Sequence, residues 1–336
     1  MRALLIDQHR RELREGDLPE PRREAEDDVL FRVNQVGVCG TDRELAAFRF
    51  GYGPRGQSFL VPGHEAVGEV IEGGSFFAPG DIVVPSVRRS CNPPCVSCLA
   101  GRRDLCLSGN CIERGIFGAH GYFTELAVDR AEDLIRIPRN TAAFAVLVEP
   151  ASVVEKAVDM ALRLHQGHPR VALVVGAGTI GLLAAMVFRL RGLEVDIASI
   201  EPPGSPRARM VQATGARYLT KPDRTVDVAI EAAGAPEAAA AGFQSLAPLG
   251  VLILLGALEW QVPMSLWNFI GGNQIVAGSV NASPAAFRQA AEDLPLMPAD
   301  VLRSMIEHRR FRDFRRSFLG EPSAAPKIVH QIADMD

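Results

Sequence analysis

Two textures of apolar spacing divide the chain. In its first half the apolar positions come in short runs, RALLID, VLFRVNQVGVC, AVGEVIE and DIVVP, each cut off by glycine and proline in PGHE, GG and APGD. Such runs predict short strands joined by tight turns, the pattern of an irregular, mostly β domain. From about Pro169 the spacing changes. VALVVG is one continuous apolar run, TIGLLAAMVFRLRG carries apolar residues at helical intervals, and LEVDIASIE, DVAIEAAG and GVLILLGA are further strand-like runs. Strands apolar on both sides, alternating with helices, predict a parallel sheet covered on both faces. An alanine-rich helix is expected around Glu237 to Gly242. Beyond about residue 287, AAFRQAAEDL and PADVLRSMIEHRRF read as helical and KIVHQI as a closing strand. The class is α/β in two domains, the number that 336 residues also suggest.

Composition changes this picture little. A formal net charge of -4 advertises no nucleic-acid surface. The run Arg309, Arg310, Arg312, Arg315 and Arg316 is interleaved with Phe311, Phe314 and Phe318, which reads as a solvated face with one buried side. The first residues lack the apolar core of a signal peptide, and the run Val251 to Ala257 is too short to span a membrane, so a cytoplasmic protein is expected. Five of the six cysteines fall between Cys91 and Cys111, a clustering that favours metal binding over disulfides.

Gly176-Ala177-Gly178-Thr179-Ile180-Gly181 follows the run VALVV and opens the helical stretch LLAAMVF. In that setting Gly176 permits the turn, Gly178 lets backbone approach a pyrophosphate, and Gly181 lets helix and strand pack closely. The unpaired N–H groups at the helix start, Thr179 and Ile180 among them, would face the phosphates. At the end of the next strand an acid would hold the adenosine ribose and repel a 2′-phosphate. Ser199 stands at the expected acid position, Glu201 two residues on, and no arginine appears before Arg207. The reading leans to NAD over NADP.

Cys39-Gly40-Thr41-Asp42 and Gly63-His64-Glu65 offer thiolate and imidazole donors of the kind a catalytic zinc uses with an open position. Cys91, Cys95, Cys98 and Cys106 put four thiolates into sixteen residues, a set suited to a closed structural zinc, with Cys111 a spare.

Taken together, CGTDRE, PGHE, the cysteine loop ending in GRRDLC, LVEPASVVEKA, GAGTIG and GSVNAS resemble the zinc-dependent medium-chain alcohol dehydrogenases, and within them the glucose dehydrogenase branch. The resemblance implies a GroES-like catalytic domain at 1–151, completed by 288–336, around a Rossmann domain at 152–287. By position it makes Cys39 and His64 zinc ligands, Glu65 a ligand or supporting carboxylate, and Glu149 a fourth ligand or substrate contact. It makes Thr41 the proton relay, Asp42 the support of the zinc histidine, and Glu113 and Asn281 contacts to sugar hydroxyls. The implied reaction is hydride transfer from an aldose such as glucose to NAD or NADP, giving a lactone. A polyol or secondary alcohol dehydrogenase is the nearest alternative, and a non-catalytic dinucleotide-binding redox sensor a more distant one. Relatives are homodimers or homotetramers, with GVLILLGA and the loop after it a candidate contact.

Three departures stand out. The first cysteines are spaced C-x3-C where the family usually has C-x2-C. Ile200-Glu201 replaces the arginine pair of NADP-using relatives. Position 44 is Glu where many alcohol and polyol dehydrogenases carry a relay histidine.

Overall fold

The computed structural model describes residues 1–256, 261–262 and 265–332. The chain divides into two compact units. One comprises Met1–Glu149, Asn281–Ala291 and Met305–Asp336, and the other Pro150–Val280 and Glu292–Ser304. Among the described residues no helix is long and apolar enough to cross a membrane.

The first unit is built on a seven-stranded sheet. Its central strand, Asp28–Val38, pairs antiparallel with Glu65–Glu72 on one side and with the C-terminal strand Lys327–Gln331 on the other. Alternation along Asp28–Val38 sends Val29, Phe31 and Val33 inward and leaves Arg32 exposed, as period-two spacing requires. A smaller sheet joins Arg2–Asp7 to Glu12–Asp17 and Phe59–Leu60. Arg89 ties the interior together, donating to Tyr122 Oη at 3.1 Å and Asp129 Oδ1 at 2.6 Å, with Asp133 Oδ2 at 2.9 Å.

One expected helix is a strand. Within PADVLRSMIEHRRF, helix stops at Ser304, and Ile306–Arg310 forms an edge strand parallel to Lys327–Gln331. Arg309 is therefore not part of a solvated face. It is buried, paired with Glu307 at 2.6 Å and donating to Ser317 Oγ at 3.0 Å. Arg310, Arg312, Arg315 and Arg316 are exposed, and Phe311, Phe314 and Phe318 are buried, as the interleaving suggested.

Ser317 belongs to a chain of bonds that fixes the C-terminal strand. His330 is wholly buried, with Nδ1 at 2.8 Å from the Arg310 carbonyl and Nε2 at 2.8 Å from Ser317 Oγ. A carbonyl only accepts, so Nδ1 carries the proton and Nε2 accepts from serine. Burial pushes the His330 pKa down to about 4. The neutral ring thus stabilises the fold fully above the unfolded value near 6.5, and that contribution fades as pH falls towards 4. Unfolding by denaturant at pH 7 and pH 4.5 should show a loss attributable to His330 of about 2–3 kcal/mol. A His330→Gln variant should be less stable at pH 7 and lose that part of the acid dependence; an unchanged pH slope would refute the assignment.

The second unit holds a six-stranded parallel sheet. Counted along the unit, its strands lie in the order 3-2-1-4-5-6: Arg217–Leu219, Glu194–Ala198, Val171–Val175, Val226–Glu231, Leu246–Leu254 and Ile275–Gly278. This is the Rossmann order, in which the crevice beyond strands 1 and 4 takes the ligand. The helix Thr179–Leu190 covers one face with eight consecutive buried residues from Gly181 to Phe188. The part of the GVLILLGA run up to Leu254 lies inside the sheet, between Val226–Glu231 and Ile275–Gly278, so that stretch has no free edge to offer a second subunit. The loop after it falls partly outside the described residues.

Candidate active site and metal centres

Cys39 ends the central strand of the first unit and caps the helix Gly40–Ala46. Its Sγ accepts from Thr41 N at 3.2 Å, and its own N–H donates to Asp42 Oδ2 at 2.9 Å. This capping box sets the thiolate, the Thr41 hydroxyl and the Asp42 carboxylate on one turn of chain. The neighbouring strand begins at Glu65, and His64 just before it brings Nε2 to 3.2 Å from Cys39 Sγ. His64 Nδ1 faces Asp42 Oδ1 at 3.5 Å, and both atoms are buried without a hydrogen bond. Asp42 thereby orients the ring so that Nε2 looks at the thiolate. Donor atoms of Cys39, His64 and Glu65 all lie within 4.8 Å of one another.

The charge balance of this cluster favours a cation. Burial alone would lower the His64 pKa, yet the Cys39 thiolate and Asp42 raise it well above the ordinary value. Burial and the Glu65 charge push Glu149, at the start of the helix Val148–Leu164, up to about 7. A thiolate, an imidazole and carboxylates gathered with this surplus of negative charge suit zinc.

The four-cysteine loop fits a second zinc. Cys91 and Cys98 Sγ are 3.7 Å apart, Cys95 and Cys106 Sγ 4.0 Å apart, and all four lie within 4.8 Å. Zn–S bonds of about 2.3 Å in a tetrahedron require S–S edges of about 3.8 Å. The C-x3-C spacing does not remove Cys91 from the group. Backbone N–H bonds from Cys98 and Leu107 hold the Cys95 pKa below the usual thiol range, as a ligand thiolate needs. Cys111 stays outside the group, a free thiol.

In the second unit Gly176–Gly181 forms the turn between the first strand and its helix. A Cβ on Gly181 would lie 1.9 Å from Gly176 O, so strand and helix meet there only because the side chain is missing. A Cβ on Gly178 would meet nothing within 4 Å, leaving open the space a pyrophosphate needs above the helix start. Ser199 follows the second strand directly and donates to Glu201 Oε2, while Tyr218 Oη donates to Ser199 O at 3.2 Å and to Glu201 O. Arg207 reaches back to the glycine turn, donating to Ala177 O at 2.9 Å.

Glu113 and Asn281, 168 residues apart, are neighbours. Asn281 Nδ2 lies 3.4 Å from Glu113 Oε1, and Glu113 is buried.

Residues 25–139 match the model of the alcohol dehydrogenase GroES-like domain, and residues 142–321 match that of the glucose dehydrogenase C-terminus. This chain belongs to the glucose dehydrogenase family. It is 39% identical over 284 residues to glucose 1-dehydrogenase 2 of Vulcanisaeta moutnovskia, covering 79% of each chain. It is 38% identical over 300 residues to glucose 1-dehydrogenase of Thermoproteus tenax, covering 84% of each. The solved glucose dehydrogenase of Haloferax mediterranei, in complex with NADP, Zn and gluconolactone, superposes with a TM-score of 0.91 at 29% identity over 100% of both chains.

Three residues of this glucose dehydrogenase family member escaped the sequence reading. Arg88 binds Glu113 Oε1 through Nε at 3.0 Å and through Nη2, and its Nη1 donates to Asp104 O in the cysteine loop at 3.0 Å. Lys327 bonds both oxygens of Glu65. Glu231, wholly buried at the end of the fourth strand, accepts from Ala233 N at 2.8 Å, Gly234 N at 2.6 Å and Gly256 N at 3.1 Å. It shapes the loops beyond the fourth and fifth strands, beside the turn that Gly176 makes. No local motif flags these side chains, since each is recognised only by partners the fold supplies.

Proposed function

We infer that the chain oxidises an aldose at C1 to its lactone, using zinc and a nicotinamide dinucleotide. The observation that carries this reading is the buried Cys39–His64 pair, 3.2 Å apart and backed by Asp42. Its support is the glucose 1-dehydrogenase relatives and the gluconolactone held by the Haloferax enzyme.

Cys39, His64 and Glu65, whose donor atoms lie within 4.8 Å of one another, would hold the catalytic zinc, with Glu149 a further ligand or substrate contact, and the metal would act on the C1 hydroxyl as a Lewis acid. The dinucleotide, on the turn Gly176–Gly181 with Thr179 and Ile180 at the helix start, is the hydride acceptor. Thr41 Oγ1 takes the hydroxyl proton and hands it towards solvent. Asp42 keeps the His64 ring in place while charge at the site changes. Glu113 and Asn281, with Glu149, bind hydroxyls of the sugar, and Arg88 holds the Glu113 carboxylate in place. Cys91, Cys95, Cys98 and Cys106 hold the structural zinc. A cytoplasmic setting agrees with the five free thiols proposed as ligands, Cys39, Cys91, Cys95, Cys98 and Cys106, which oxidation would remove from that role.

Glu201 decides the dinucleotide. Its carboxylate, anchored by Ser199, would accept from ribose hydroxyls and repel a 2′-phosphate, which supports NAD as the preferred acceptor. The Haloferax enzyme was solved with NADP, so this preference rests on Glu201. Reduction of NAD and NADP by the zinc-loaded protein, across aldoses, polyols and simple alcohols, tests both parts. Turnover with aldoses and NAD is expected, and Glu201→Ala should raise the NADP-to-NAD ratio of kcat/KM at least about tenfold. Turnover confined to polyols or simple alcohols would overturn the substrate, and an unchanged ratio would overturn the role of Glu201.

The subunits pair as a homodimer, or in a homotetramer, through the edge strand Ile275–Gly278. Beside it the helix Leu266–Gly271 exposes Leu266, Trp267 and Ile270, an apolar patch a monomer would not keep in water. Sedimentation should find a dimer or tetramer, and Trp267→Glu should shift it towards monomer; a monomeric parent protein would end this reading.

A further inference from the structure

Residues 279–283 lead the chain from the strand Ile275–Gly278 to the helix Pro284–Asp293. Both ends of this segment are tied. Ser279 N donates to Leu254 O at 3.0 Å, and Ser283 caps the helix, its Oγ accepting from Ala286 N at 3.1 Å. Between them Asn281 holds its backbone at φ 60°, in the left-handed region that asparagine tolerates better than most residues. Its amide lies 3.4 Å from Glu113 Oε1. Asn281 can aim that amide only while the peptide before it keeps its orientation. The Val280 side chain does little to fix the peptide, since it is 67% exposed. The Val280 carbonyl is what is held, by Lys156 Nζ donating at 2.8 Å. Lys156 stands on the helix Val148–Leu164, two turns after Glu149 and on the same face.

We propose that Lys156 is a positioning residue for the sugar. By holding the Val280 carbonyl it fixes the Val280–Asn281 peptide, and with it the amide that Asn281 turns to a sugar hydroxyl. The proposal rests on the reading of Glu113 and Asn281 as sugar contacts.

One rigid plane joins the Val280 carbonyl to the Asn281 nitrogen, so a bond to the oxygen sets the direction from which the Asn281 side chain departs. The left-handed well of a residue with a Cβ is narrow, and turning that plane carries Asn281 out of it. An ammonium makes the stronger, charge-assisted kind of hydrogen bond, which an aliphatic side chain of the same length cannot replace. The segment LVEPASVVEKA thereby carries a second task besides that of Glu149.

The experiment is steady-state turnover of an aldose by the zinc-loaded enzyme at saturating dinucleotide. Lys156→Met should raise the KM for the sugar about fivefold or more and leave kcat within about twofold, because the lost bond serves binding rather than hydride transfer. The KM for the dinucleotide should stay within about twofold. Lys156→Arg, whose guanidinium can still donate to the Val280 carbonyl, should return the sugar KM to within about twofold of the parent. Asn281→Ala should raise the sugar KM by itself. Adding Lys156→Met to it should then change KM less than about twofold, because the side chain to be positioned is gone. The bond is exposed, so Lys156→Met should keep its Tm within about 3 °C of the parent. Should it fall further, Lys156→Gln, polar but too short for the bond, takes its place with the same expectation. An unchanged sugar KM in the Lys156 variant would overturn the proposal. So would effects of Lys156→Met and Asn281→Ala that multiply in the double variant. A parental KM in Asn281→Ala would end the proposal while leaving the aldose reading intact, and a parent enzyme that turns over no aldose would overturn both.

Discussion

Replacing Cys39 with serine is expected to lower sugar oxidation at least about a thousandfold, since Lewis-acid stabilisation is worth several kcal/mol and each 1.4 kcal/mol is a decade. One equivalent of zinc should leave with it, and the four-thiolate zinc should stay. The fold should survive. Cys39 caps the helix Gly40–Ala46 by accepting from Thr41 N, and serine is among the best residues for that position. Dinucleotide affinity should change by no more than about threefold, because the glycine turn proposed to bind it belongs to the other unit. Metal analysis, cofactor titration and turnover on one preparation separate these effects. Normal turnover after loss of one zinc would sink the catalytic assignment.

The second large effect is on stability. Cys98→Ser should cost the protein its other zinc and about 4 kcal/mol or more, seen as a fall in Tm of about 10 °C or more. The loop from Cys91 to Cys106 carries only the short helix Val96–Leu99 and a single turn, Arg103–Leu105. Val96 and Leu99 point outward, so the loop buries little apolar surface of its own. Two arginines pin it to the body. Arg103 pairs with Asp133 and donates to Ser86 Oγ at 2.8 Å, and Arg88 holds the Asp104 carbonyl. Arg88 also carries Glu113, so loosening the loop should raise the KM for sugar more than it lowers kcat. Two zinc equivalents and an unshifted Tm in Cys98→Ser would show that the loop stands without metal.

How much of this could be read from the chain follows from where the information sits. Cys39 to Asp42, His64 and Glu65, the four cysteines and Gly176 to Gly181 are each complete within a few residues, because capping turns, metal loops and phosphate-binding turns are local objects. The parallel sheet was equally legible, since strands buried on both faces advertise themselves as unbroken apolar runs. Ile306–Arg310 was not. It is an edge strand with charged residues on its open side, and its spacing continues that of the preceding helix. The position of GVLIL inside the sheet is likewise a matter of strand order, which apolar content does not encode.

The sequence by itself therefore determined the two kinds of domain, the two clusters of candidate metal donors and the glycine turn after the first parallel strand, all from short-range pattern. Only the tertiary structure decided which charges meet. Lys327 reaches Glu65 across 262 residues, Arg88 links Glu113 to the cysteine loop, and Arg309 is buried where a solvated face was expected. The physical reason is common to all three. A charged side chain looks the same in a sequence whether water or a counter-ion will surround it, and burying it is tolerable only where the fold delivers its partner.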